Sequence, residues 1–600
     1  MFEGLQAIRK ELKEAKLENP DREEIHDGYQ LRFVGKDYAK FITGLPTETV
    51  LVPDTEWNNQ EQNKNSENIF ITGNNLDALK HLENAYSGRI KMIYIDPPYN
   101  TGSDGFVYND KFGFTEEQLR EKLGLSDDEV ARIKALENRC SHSAWLTFML
   151  PRLAIAKRLL SDDGVIFISI DDNEQANLKL LCDEIFTERN AVADFLWQTK
   201  DFVWKKKSTT TNVKGVSVSS LTEHILCYKK AEKGINNRIT SKEKNTYPFC
   251  DSLGNYRKTI IEKKNEGNYA RQTMLFPIMG HYPREGKRWQ IGEEKARILE
   301  QKERFIYEEG MVKLKIYDFE DEDTISAYPN LLFEHGSTDS ATQEVKEILN
   351  GNYFDNPKPT KLIKQLCLFT DVPTKNSIIL DFFAGSSTTA HAVMALNKEV
   401  IGNRKYIMVQ LDEDTKENGE ARKAGYNTID EISRDRIKKA AKQLGDTTGF
   451  RHYKLAKVKD DIVLGKIDKF NPDKPNLFND DMLEPFSGKS LGTQLEATGT
   501  QTLLTTWLVD DGYTLTTPVN EVKLGNYTAY MPQDSHCLYL IDKGWNSDAT
   551  KDLLNKIEKN ELIVQSIVIY NHSFNFTALT ELKNNLKSVS NKDIKLIERF

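Results

Sequence analysis

Short apolar strands alternate with amphipathic helices in two separate stretches of the chain. Residues 68–100 hold an apolar run, a Gly-Asn turn, an amphipathic helix and a second apolar run that stops at Asp96. Residues 165–170 and 221–230 predict two further strands, and residues 377–412 repeat the order strand, turn, helix, strand. Near-continuous apolar strands joined by helices are typical of parallel sheets that are covered on both faces. The pattern therefore predicts an α/β fold with a mostly parallel sheet built from two stretches of chain.

The rest of the pattern divides the chain into six parts. Residues 1–65 are polar and predict helices and loops, while residues 455–500 are polar, contain several Pro and Gly residues and predict a linker. Two apolar runs, HCLYLI and LIVQSIVIY, predict strands of a small α/β module near the C-terminus. We expect an N-terminal segment at 1–65, the first half of the sheet domain at 66–230, a central domain at 231–352, the second half at 353–450, a linker at 451–500 and the α/β module at 501–600.

The composition is that of a globular protein, with 38% hydrophobic and 29% charged residues among 600. This excludes a largely disordered or collagen-like chain. The net charge of −9 excludes a uniformly basic coat for nucleic acid. Residues 200–300, however, carry 21 Lys and Arg against 11 Asp and Glu, mixed with Asn and aromatic residues. An excess of positive charge confined to one segment favours a nucleic-acid surface over a merely solvated basic face.

Cysteine spacing and hydropathy indicate the compartment. The six cysteines are scattered, and none has the spacing of a zinc site, so we interpret them as reduced thiols of a cytosolic protein without a bound metal. The first residues form a charged amphipathic pattern without the apolar core of a signal peptide. The longest apolar stretch, residues 145–160, is interrupted by Pro151, Arg152, Lys157 and Arg158, so no segment is expected to cross a membrane.

The tetrapeptide Asp96-Pro97-Pro98-Tyr99 ends the second apolar strand. Ligands of open parallel sheets bind beyond the carboxyl ends of the strands. The prolines fix φ there, and the Pro97 carbonyl together with the Asp96 carboxylate offers two acceptors to an NH₂ group. Tyr99 adds a flat ring on which a base can stack. A structural Pro-Pro turn after a buried strand explains the four residues equally well, so the motif alone leaves both interpretations open.

A second motif, F-A-G-S-S at 383–387, lies between a predicted strand and a predicted helix. Gly385 permits close approach of a ligand to the backbone, and the start of the helix offers unpaired N–H groups. The next strand is followed by Asp412 and Glu413, and acids at this place suit ribose hydroxyl groups. The order strand, turn, helix, strand and acid favours a cofactor site over a plain structural turn.

Other common active-site signatures are missing from the sequence. No stretch has the spacing G-x-x-x-x-G-K-S/T, because the runs at Gly286-Lys287 and Gly488-Lys489 have the wrong neighbours. A P-loop ATPase is therefore not expected. The sequence also shows no nuclease metal site and no G-x-S-x-G elbow.

Together, the two motifs resemble those of DNA amino-methyltransferases that use S-adenosylmethionine. The tetrapeptide precedes the glycine motif, with the basic region between them, and this order resembles the permuted β class of these enzymes. The family resemblance is closest to the Mod subunits of type III restriction–modification systems, and it rests on the runs GNNLDALKHLENAYSGRIKMIYIDPPYNTGSDGFVYND, TEHILCYKK, NPKPTKLIKQL and ILDFFAGSSTTAHAV. It covers about 68–230 and 353–440. It implies a Rossmann-like methyltransferase fold with circularly permuted motifs, a target-recognition domain at 231–352, and methylation of adenine N6 in duplex DNA at specific sites.

The resemblance also implies roles for individual residues. Asp96, Pro97, Pro98 and Tyr99 match the catalytic tetrapeptide. The residues that match the cofactor loop of the family are Asp381, Phe383, Ala384, Gly385 and Ser386. The segment that contacts the methionine part of the cofactor is matched by Lys358, Pro359 and Thr360. Asn74 matches the contact to the cofactor adenine, and Asp412 or Glu413 matches the contact to its ribose. Two positions depart from the family: Ser387 replaces its last glycine, and Asn74 stands where many relatives have Asp.

A target base inside a duplex is out of reach, so the resemblance implies that adenine is flipped out of the helix. Sequence recognition is expected at 231–352, where Arg and Lys read guanine and Asn and Gln read adenine. The candidates for these DNA contacts are Asn265, Asn268, Arg271, Arg284 and Arg288. The family further implies a homodimer, a separate restriction subunit that carries the helicase and nuclease, and a place in the prokaryotic cytosol.

Three alternatives differ in chemistry. Cytosine-N4 methyltransferases share the architecture but usually begin the tetrapeptide with Ser, so Asp96 favours adenine. RNA and protein-glutamine methyltransferases share a proline-tyrosine motif, but the permuted order and the central domain argue against them. A catalytically silent DNA-binding specificity subunit would keep the fold, and the intact motifs at 96–99 and 383–386 argue against that reading.

Overall fold

The computed structural model describes residues 31–101, 127–135, 141–200, 220–231, 240–243, 246–267, 270–320, 324–370, 376–400, 402–458, 482–588 and 594–599. Its strands, in chain order, are β1 (Thr49–Pro53), β2 (Ile69–Thr72), β3 (Ile90–Ile95), β4 (Leu160–Ile170), β5 (Ala191–Gln198), β6 (Thr222–Lys229), β7 (Thr240–Glu243), β8 (Phe249–Asp251), β9 (Gly254–Ile260), β10 (Glu262–Lys264), β11 (Lys287–Trp289), β12 (Phe305–Glu308), β13 (Met311–Tyr317), β14 (Thr324–Ala327), β15 (Leu331–Leu332), β16 (Ile378–Asp381), β17 (Lys405–Gln410), β18 (Arg451–Lys457), β19 (Val519–Leu524), β20 (Tyr527–Pro532), β21 (Cys537–Leu540), β22 (Ser566–Tyr570) and β23 (Lys595–Arg599).

The described helices are numbered in the same way. They are α1 (Lys36–Thr43), α2 (Thr55–Asn58), α3 (Asn75–Tyr86), α4 (Asp127–Lys134), α5 (His142–Leu159), α6 (Gln175–Phe186), α7 (Glu293–Gln301), α8 (Thr338–Leu349), α9 (Thr360–Thr370), α10 (Thr388–Val400), α11 (Glu420–Lys423), α12 (Ile429–Leu444), α13 (Gly499–Asp510), α14 (Ser547–Glu558) and α15 (Phe576–Ser588). Among these described helices, none combines the length and the hydrophobicity that crossing a bilayer requires.

The described residues divide into two compact units, which are residues 1–237 with 330–600 and residues 238–329. In the first unit, ten of the described strands form one sheet in the order β1-β18-β2-β17-β16-β3-β4-β6-β5-β15. The strands from β18 to β4 all run parallel, while β6 pairs antiparallel with β4 and with β5. The predicted α/β fold with a mostly parallel sheet is confirmed, and both predicted stretches of chain contribute to it.

Alternating side chains of the central strands pack on opposite faces of this sheet. Ile93 and Ile95 of β3 join the core cluster formed with helices α3, α5 and α6. Met92 points to the other face, where its sulfur accepts a hydrogen bond from Thr370 at the end of α9. Both faces are covered, which explains why β2 and most of β3 are continuously apolar in the sequence.

Two predicted boundaries need correction. Residues 451–457, which we assigned to a linker, form β18 inside the ten-stranded sheet, between β1 and β2. The strand reads RHYKLAK, with a charged residue at every third position, so it contains no apolar run. Residues 33–65, assigned to an N-terminal segment outside the sheet domain, contain α1 and β1, and β1 pairs antiparallel with β18. The charged stretch 113–140, whose sequence predicts a helical surface insertion, lies largely outside the described residues. Helix α4 is the part of it that the structure describes.

The predicted strands near the C-terminus are present. Strands β19 to β23 form a five-stranded sheet in chain order, with a core against helices α14 and α15. Its other face packs on α13, through Trp507 and Leu503. Helix α13 also contacts the ten-stranded sheet, where the Leu51 N–H donates to the Thr506 hydroxyl at 3.0 Å. Helix α13 is therefore shared by both sheets.

The second unit, residues 238–329, has a small core of its own. Strands β12, β13, β9 and β8 form an antiparallel sheet. One face of this sheet packs on the buried Trp289, whose indole N–H donates to the Phe276 carbonyl at 2.6 Å, and on Ala296 of α7. This unit lies within the predicted target-recognition domain at 231–352, while residues 330–352, including α8, belong to the first unit.

Candidate active site

The acidic tetrapeptide follows the last residue of β3, at the carboxyl edge of the parallel sheet. Trp145 of α5 is completely buried, and its indole N–H donates to the Pro98 carbonyl at 2.7 Å. Two prolines restrict the backbone, and the Trp145 hydrogen bond fixes its direction. The tetrapeptide is thus held rigidly, with the Asp96 side chain partly exposed.

Asp96, Tyr99, Glu223 and Lys358 form one cluster of side chains. The Lys358 ammonium lies 2.8 Å from both carboxylate oxygens of Asp96 and 2.9 Å from the Tyr99 hydroxyl oxygen. The Glu223 carboxylate lies 3.0 Å from the same hydroxyl oxygen and 3.4 Å from the ammonium. Sequence analysis assigned Lys358 to the methionine part of a cofactor, whereas in the structure its ammonium contacts the acidic tetrapeptide. Glu223, in β6, was not among the candidates.

The charges of this cluster are set by its surroundings. Burial lowers the pKa of Lys358, but the nearby Asp96 and Glu223 carboxylates outweigh burial and raise the pKa above its ordinary value. Burial and the same two carboxylates raise the pKa of Tyr99 well above its usual range. Lys358 is therefore an ammonium and Tyr99 a neutral phenol, so each can donate to Asp96. The ammonium also lies 5.1 Å from the ring centre of Tyr99 and 5.7 Å from that of Trp197.

The glycine motif forms the turn between β16 and α10. Gly385 has a φ of 52°, and its N–H donates to the Gln410 side-chain oxygen at 2.8 Å, while the Ser433 hydroxyl donates to its carbonyl. A Cβ atom at position 385 would lie 3.1 Å from the ring of Phe354. Both the left-handed conformation and this close approach explain why glycine occupies the position.

Two residues after this glycine, Ser387 also adopts a left-handed conformation, with a φ of 62°. Its side chain is fully buried, and its hydroxyl has no hydrogen-bond partner among the described residues. Ser387 stands where the family resemblance predicts a glycine. The backbone accordingly keeps the conformation that a glycine would take, and the serine side chain adopts it under strain.

Asp381, the last residue of β16, connects the strand to the turn and the helix. It accepts hydrogen bonds from the Phe383 N–H at 3.1 Å and from the Thr389 hydroxyl at 2.6 Å. Burial raises the pKa of its carboxyl to about 7, against these two hydrogen bonds, which lower it. Ala384, also predicted in this segment, donates its N–H to the Val409 carbonyl of β17 at 3.1 Å.

A buried arginine connects the glycine motif with the segment Lys358-Pro359-Thr360. Arg436 of α12 donates to the hydroxyl groups of Ser386 and Thr388, both at 2.7 Å, and to Glu344 of α8 at 3.1 Å. Glu344 also accepts from the Thr360 hydroxyl, and the Thr388 hydroxyl donates to the Lys358 carbonyl at 3.1 Å. Pro359 is buried as well. Burial lowers the pKa of Arg436 to about 10, although Glu344 opposes the shift.

The remaining cofactor candidates stand at the ends of β2 and β17. Asn74 caps α3 by accepting from the Leu76 N–H at 2.8 Å. Asp412 forms an ion pair with Lys454 at 2.9 Å. Glu413 is exposed, and its carboxylate has no hydrogen bond or ion pair among the described residues. Because β2, β17, β16 and β3 are neighbours in the sheet, all the candidates at their carboxyl ends lie along one edge.

The candidates for DNA recognition lie in the second unit, except Asn268, which lies outside the described residues. Arg284 forms an ion pair at 2.7 Å with Glu262, a nearly buried acid, and the Asn265 side-chain oxygen accepts from the Arg271 N–H at 2.8 Å. The Arg288 guanidinium donates to the Trp289 carbonyl at 3.0 Å. The Arg271 guanidinium is exposed and unpaired among the described residues, so it is the most available of these groups.

Sequence analysis missed Glu223, Arg436 and Trp145. Trp145 lies in the first turn of the long apolar helix, and Glu223 lies near the start of a predicted strand. Both elements were predicted, but neither residue belongs to a recognisable motif. Arg436 stands in a charged helix, where nothing in the local pattern distinguishes a buried arginine from an exposed one. Each acts through a contact 47 to 124 residues away along the chain.

Comparison with known proteins identifies close relatives. A family model described as DNA methylase matches residues 90–417, and one described as the type III R-M EcoP15I C-terminal domain matches residues 498–595. The StyLTI Mod subunit of Salmonella typhimurium is 39% identical, with 96% of this chain and 91% of that protein covered. The EcoP15I Mod subunit of Escherichia coli is 36% identical, with 94% and 90% covered. The type II methyltransferase M.KpnI of Klebsiella pneumoniae is 29% identical over 67% of this chain and 95% of its own length.

Solved structures are more distant. The PvuII DNA methyltransferase, which is cytosine-N4-specific, shares 12% identity with a TM-score of 0.30, over 62% of this chain and 94% of that chain. The M1.HpyAVI–SAM complex shares 13% identity with a TM-score of 0.26, over 63% and 98%.

Proposed function

The chain belongs to the DNA methylase family and, within it, to the Mod subunits of type III restriction–modification systems, and from this premise we propose that it methylates N6 of adenine at specific sites in duplex DNA, with S-adenosylmethionine as methyl donor. The choice of adenine rests on Asp96, the acid that begins the tetrapeptide. The Asp96 carboxylate contacts the Lys358 ammonium and stands partly exposed at the carboxyl edge of the sheet. It can accept a hydrogen bond from an exocyclic amine.

The residues along this edge fit the cofactor. Gly385 gives the turn before α10 its left-handed conformation, and the start of α10 offers N–H groups. The exposed carboxylate of Glu413, which has no partner among the described residues, suits two ribose hydroxyls. Asp412 is already paired with Lys454, so we propose Glu413 for the ribose. Asn74 stays the candidate for the adenine. S-adenosylmethionine supplies the methyl group on a positively charged sulfur.

The chain contributes orientation and hydrogen-bond acceptors. The lone pair of an aromatic amine is delocalised into its ring, so the amine is a weak nucleophile. Asp96 and the Pro97 carbonyl accept its two N–H groups and favour a tetrahedral nitrogen, and Tyr99 presents a face on which the flipped base stacks. Holding the two reactants in line contributes up to roughly 7–11 kcal/mol.

Recognition of the DNA sequence is proposed for residues 231–352. Arg271, whose exposed guanidinium has no partner in the part of the chain that the structure describes, is the first candidate for a guanine contact. Arg284 is held by Glu262 and would have to exchange partners on binding DNA. We expect the reaction to take place in the prokaryotic cytosol, where the DNA lies.

Nucleoside mass spectrometry tests the activity. The protein is incubated with DNA and isotope-labelled S-adenosylmethionine, and we expect the label in N6-methyladenine. Label in N4-methylcytosine would refute the choice of adenine, and no label with demonstrated cofactor binding would favour a silent specificity subunit. Asp96→Ala should lower the rate about a hundredfold or more, because a positioned acceptor is lost. The cofactor should bind this variant normally; near-normal turnover, or an equal loss of cofactor affinity, contradicts the assigned role.

We also propose that the chain forms a homodimer and binds a separate restriction subunit, with residues 501–600 contributing to assembly. The match of residues 498–595 to the EcoP15I C-terminal domain supports this. Because α13 packs on β1, a deletion should begin after Thr517 and leave that helix in place. We expect the truncated chain to elute at smaller oligomeric size or to lose the restriction subunit on co-purification. Unchanged size together with unchanged co-purification would refute the proposal.

A further inference from the structure

The Tyr99 hydroxyl lies between two carboxylates. Its oxygen is 2.8 Å from Asp96 Oδ1 and 3.0 Å from Glu223 Oε2, and it accepts from the Lys358 ammonium at 2.9 Å. A phenol has a single proton, so it can donate to only one of the two acids at a time. The arrangement therefore has two states, which differ in the acid that receives this hydrogen bond.

The two states leave Asp96 with different capacities. Each carboxylate oxygen accepts about two hydrogen bonds, and Lys358 already occupies one position on each oxygen of Asp96. When Tyr99 donates to Asp96, Oδ1 is filled and only Oδ2 can accept from a target amine. When Tyr99 donates to Glu223, both Asp96 oxygens keep one open position.

We propose that Glu223 is a positioning residue for the methyl transfer, since it takes the Tyr99 hydrogen bond and shares the Lys358 ammonium, and thereby keeps Asp96 open to the exocyclic amine of the target base. The inference rests on the proposed function as an amino-methyltransferase. It requires no covalent step of Glu223 itself. Through Glu223, whose carboxylate contacts Tyr99, strand β6 takes part in the reaction.

The backbone around Glu223 does not depend on its side chain. Glu223 is paired with Trp197 in the regular antiparallel ladder of β5 and β6, and its side chain is about one quarter exposed. Substitution by the isosteric Gln should thus preserve the fold, while it removes the charge that attracts the Tyr99 hydroxyl and the ammonium. Asp172, at the same edge of the sheet, pairs with His224 at 3.3 Å and offers a matched control for loss of one negative charge.

The test measures single-turnover methyl transfer and, separately, cofactor affinity. Glu223→Gln should lower the rate about tenfold, which corresponds to one charged hydrogen bond, and should change the cofactor Kd less than twofold. Asp172→Asn should leave both values within twofold of the native protein. In a Tyr99→Phe background, which has no hydroxyl to direct, Glu223→Gln should cost at most about threefold. An undiminished effect of Glu223→Gln in that background, or a native rate for Glu223→Gln alone, would overturn the proposal.

A second readout does not depend on activity. With 3-fluorotyrosine incorporated at position 99, the ¹⁹F resonance reports the hydrogen-bond partner of the hydroxyl. Glu223→Gln should shift this resonance and Asp172→Asn should not; an unshifted resonance overturns the role of Glu223 even in a chain that methylates none of the DNA offered. If nucleoside mass spectrometry found the label in N4-methylcytosine, only the choice of adenine would be refuted. The role of Glu223 would stand, since the N4 amine of cytosine presents the same donors to Asp96.

Discussion

Replacement of Ser387 by Gly should stabilise the turn that precedes α10. The serine adopts a φ of 62°, its side chain is fully buried, and its hydroxyl is unsatisfied among the described residues. Glycine takes this conformation freely and has no hydroxyl to bury. The substitution therefore removes two unfavourable contributions at one position.

The magnitude follows from these contributions. A left-handed conformation costs a residue with a Cβ roughly 1–2 kcal/mol, and a buried hydroxyl without a partner costs about 1–3 kcal/mol. The greater freedom of glycine in the unfolded chain offsets about 0.5–1 kcal/mol of the gain. We expect Ser387→Gly to raise the local free energy of opening by about 1–4.5 kcal/mol.

Hydrogen exchange read by mass spectrometry suits the question, because a chain with two units need not unfold in one step. Peptides from β16 to α10 should exchange at least about fivefold more slowly in Ser387→Gly. Ser387→Ala removes the hydroxyl and keeps the strained φ, so it should gain only part of this protection. Ser386→Gly removes an acceptor of Arg436 and should lose protection.

Faster exchange in Ser387→Gly, or equal gains for the Ala and Gly variants, would refute the reasoning. The first result would mean that the serine side chain stabilises the turn through packing. The second would mean that the backbone conformation carries no strain. The cofactor affinity of Ser387→Gly should equal or exceed that of the native chain, because the turn keeps its shape.

Two further substitutions probe the same region. Burial raises the pKa of Asp381 from 3.8 to about 7, so the folded state favours its protonated form. Its contribution to stability is complete below pH 3.8 and is lost as the pH rises to about 7, a change of up to about 4 kcal/mol. Asp381→Asn should abolish this pH dependence in melting curves recorded from about pH 4 to 8. Parallel pH profiles of variant and native protein would contradict this. Arg436→Ala should destabilise the methylase core by about 3–5 kcal/mol and weaken cofactor binding, because it removes the buried cation that pairs with the Glu344 carboxylate. Arg436→Lys should recover only part, since one ammonium cannot reach Ser386, Thr388 and Glu344 together. Denaturation and cofactor titration measure both effects, and full recovery by Lys would show that charge alone suffices.

The fold could be predicted from sequence because its central strands are buried on both faces and hence apolar throughout. The two motifs could be recognised for a related reason. Each directly follows such a strand, and all the residues of each motif are contiguous in the sequence. Strand β18 was missed because Arg451 and Lys454 interrupt its apolar positions. Its membership of the sheet depends on partners almost 400 residues earlier in the chain.

The composition of the site was predictable only as far as contacts are local. Lys358 lies 262 residues from Asp96 along the chain, and its neighbours Pro359 and Thr360 suggested the cofactor rather than the tetrapeptide. The role of Glu223 depends on β6 lying beside β4, which is itself next to β3. Such neighbours follow from strand order, and strand order cannot be read from the periodicity of any one segment.

The order of strands in the sheet also determines which strands can pair while the chain is still being synthesised. Strands β3, β4, β6 and β5 are adjacent in the sheet and can pair as soon as residue 229 has emerged. Strands β1 and β2 cannot, since their partners β17 and β18 lie beyond residue 404. At roughly 5–20 residues per second, the apolar β2 and the free edge of β3 wait roughly 15–60 s for the strands that cover them. Chaperones are therefore expected to bind the incomplete chain. The yield of the protein in cells should depend on chaperones more strongly than the stability of the folded protein suggests.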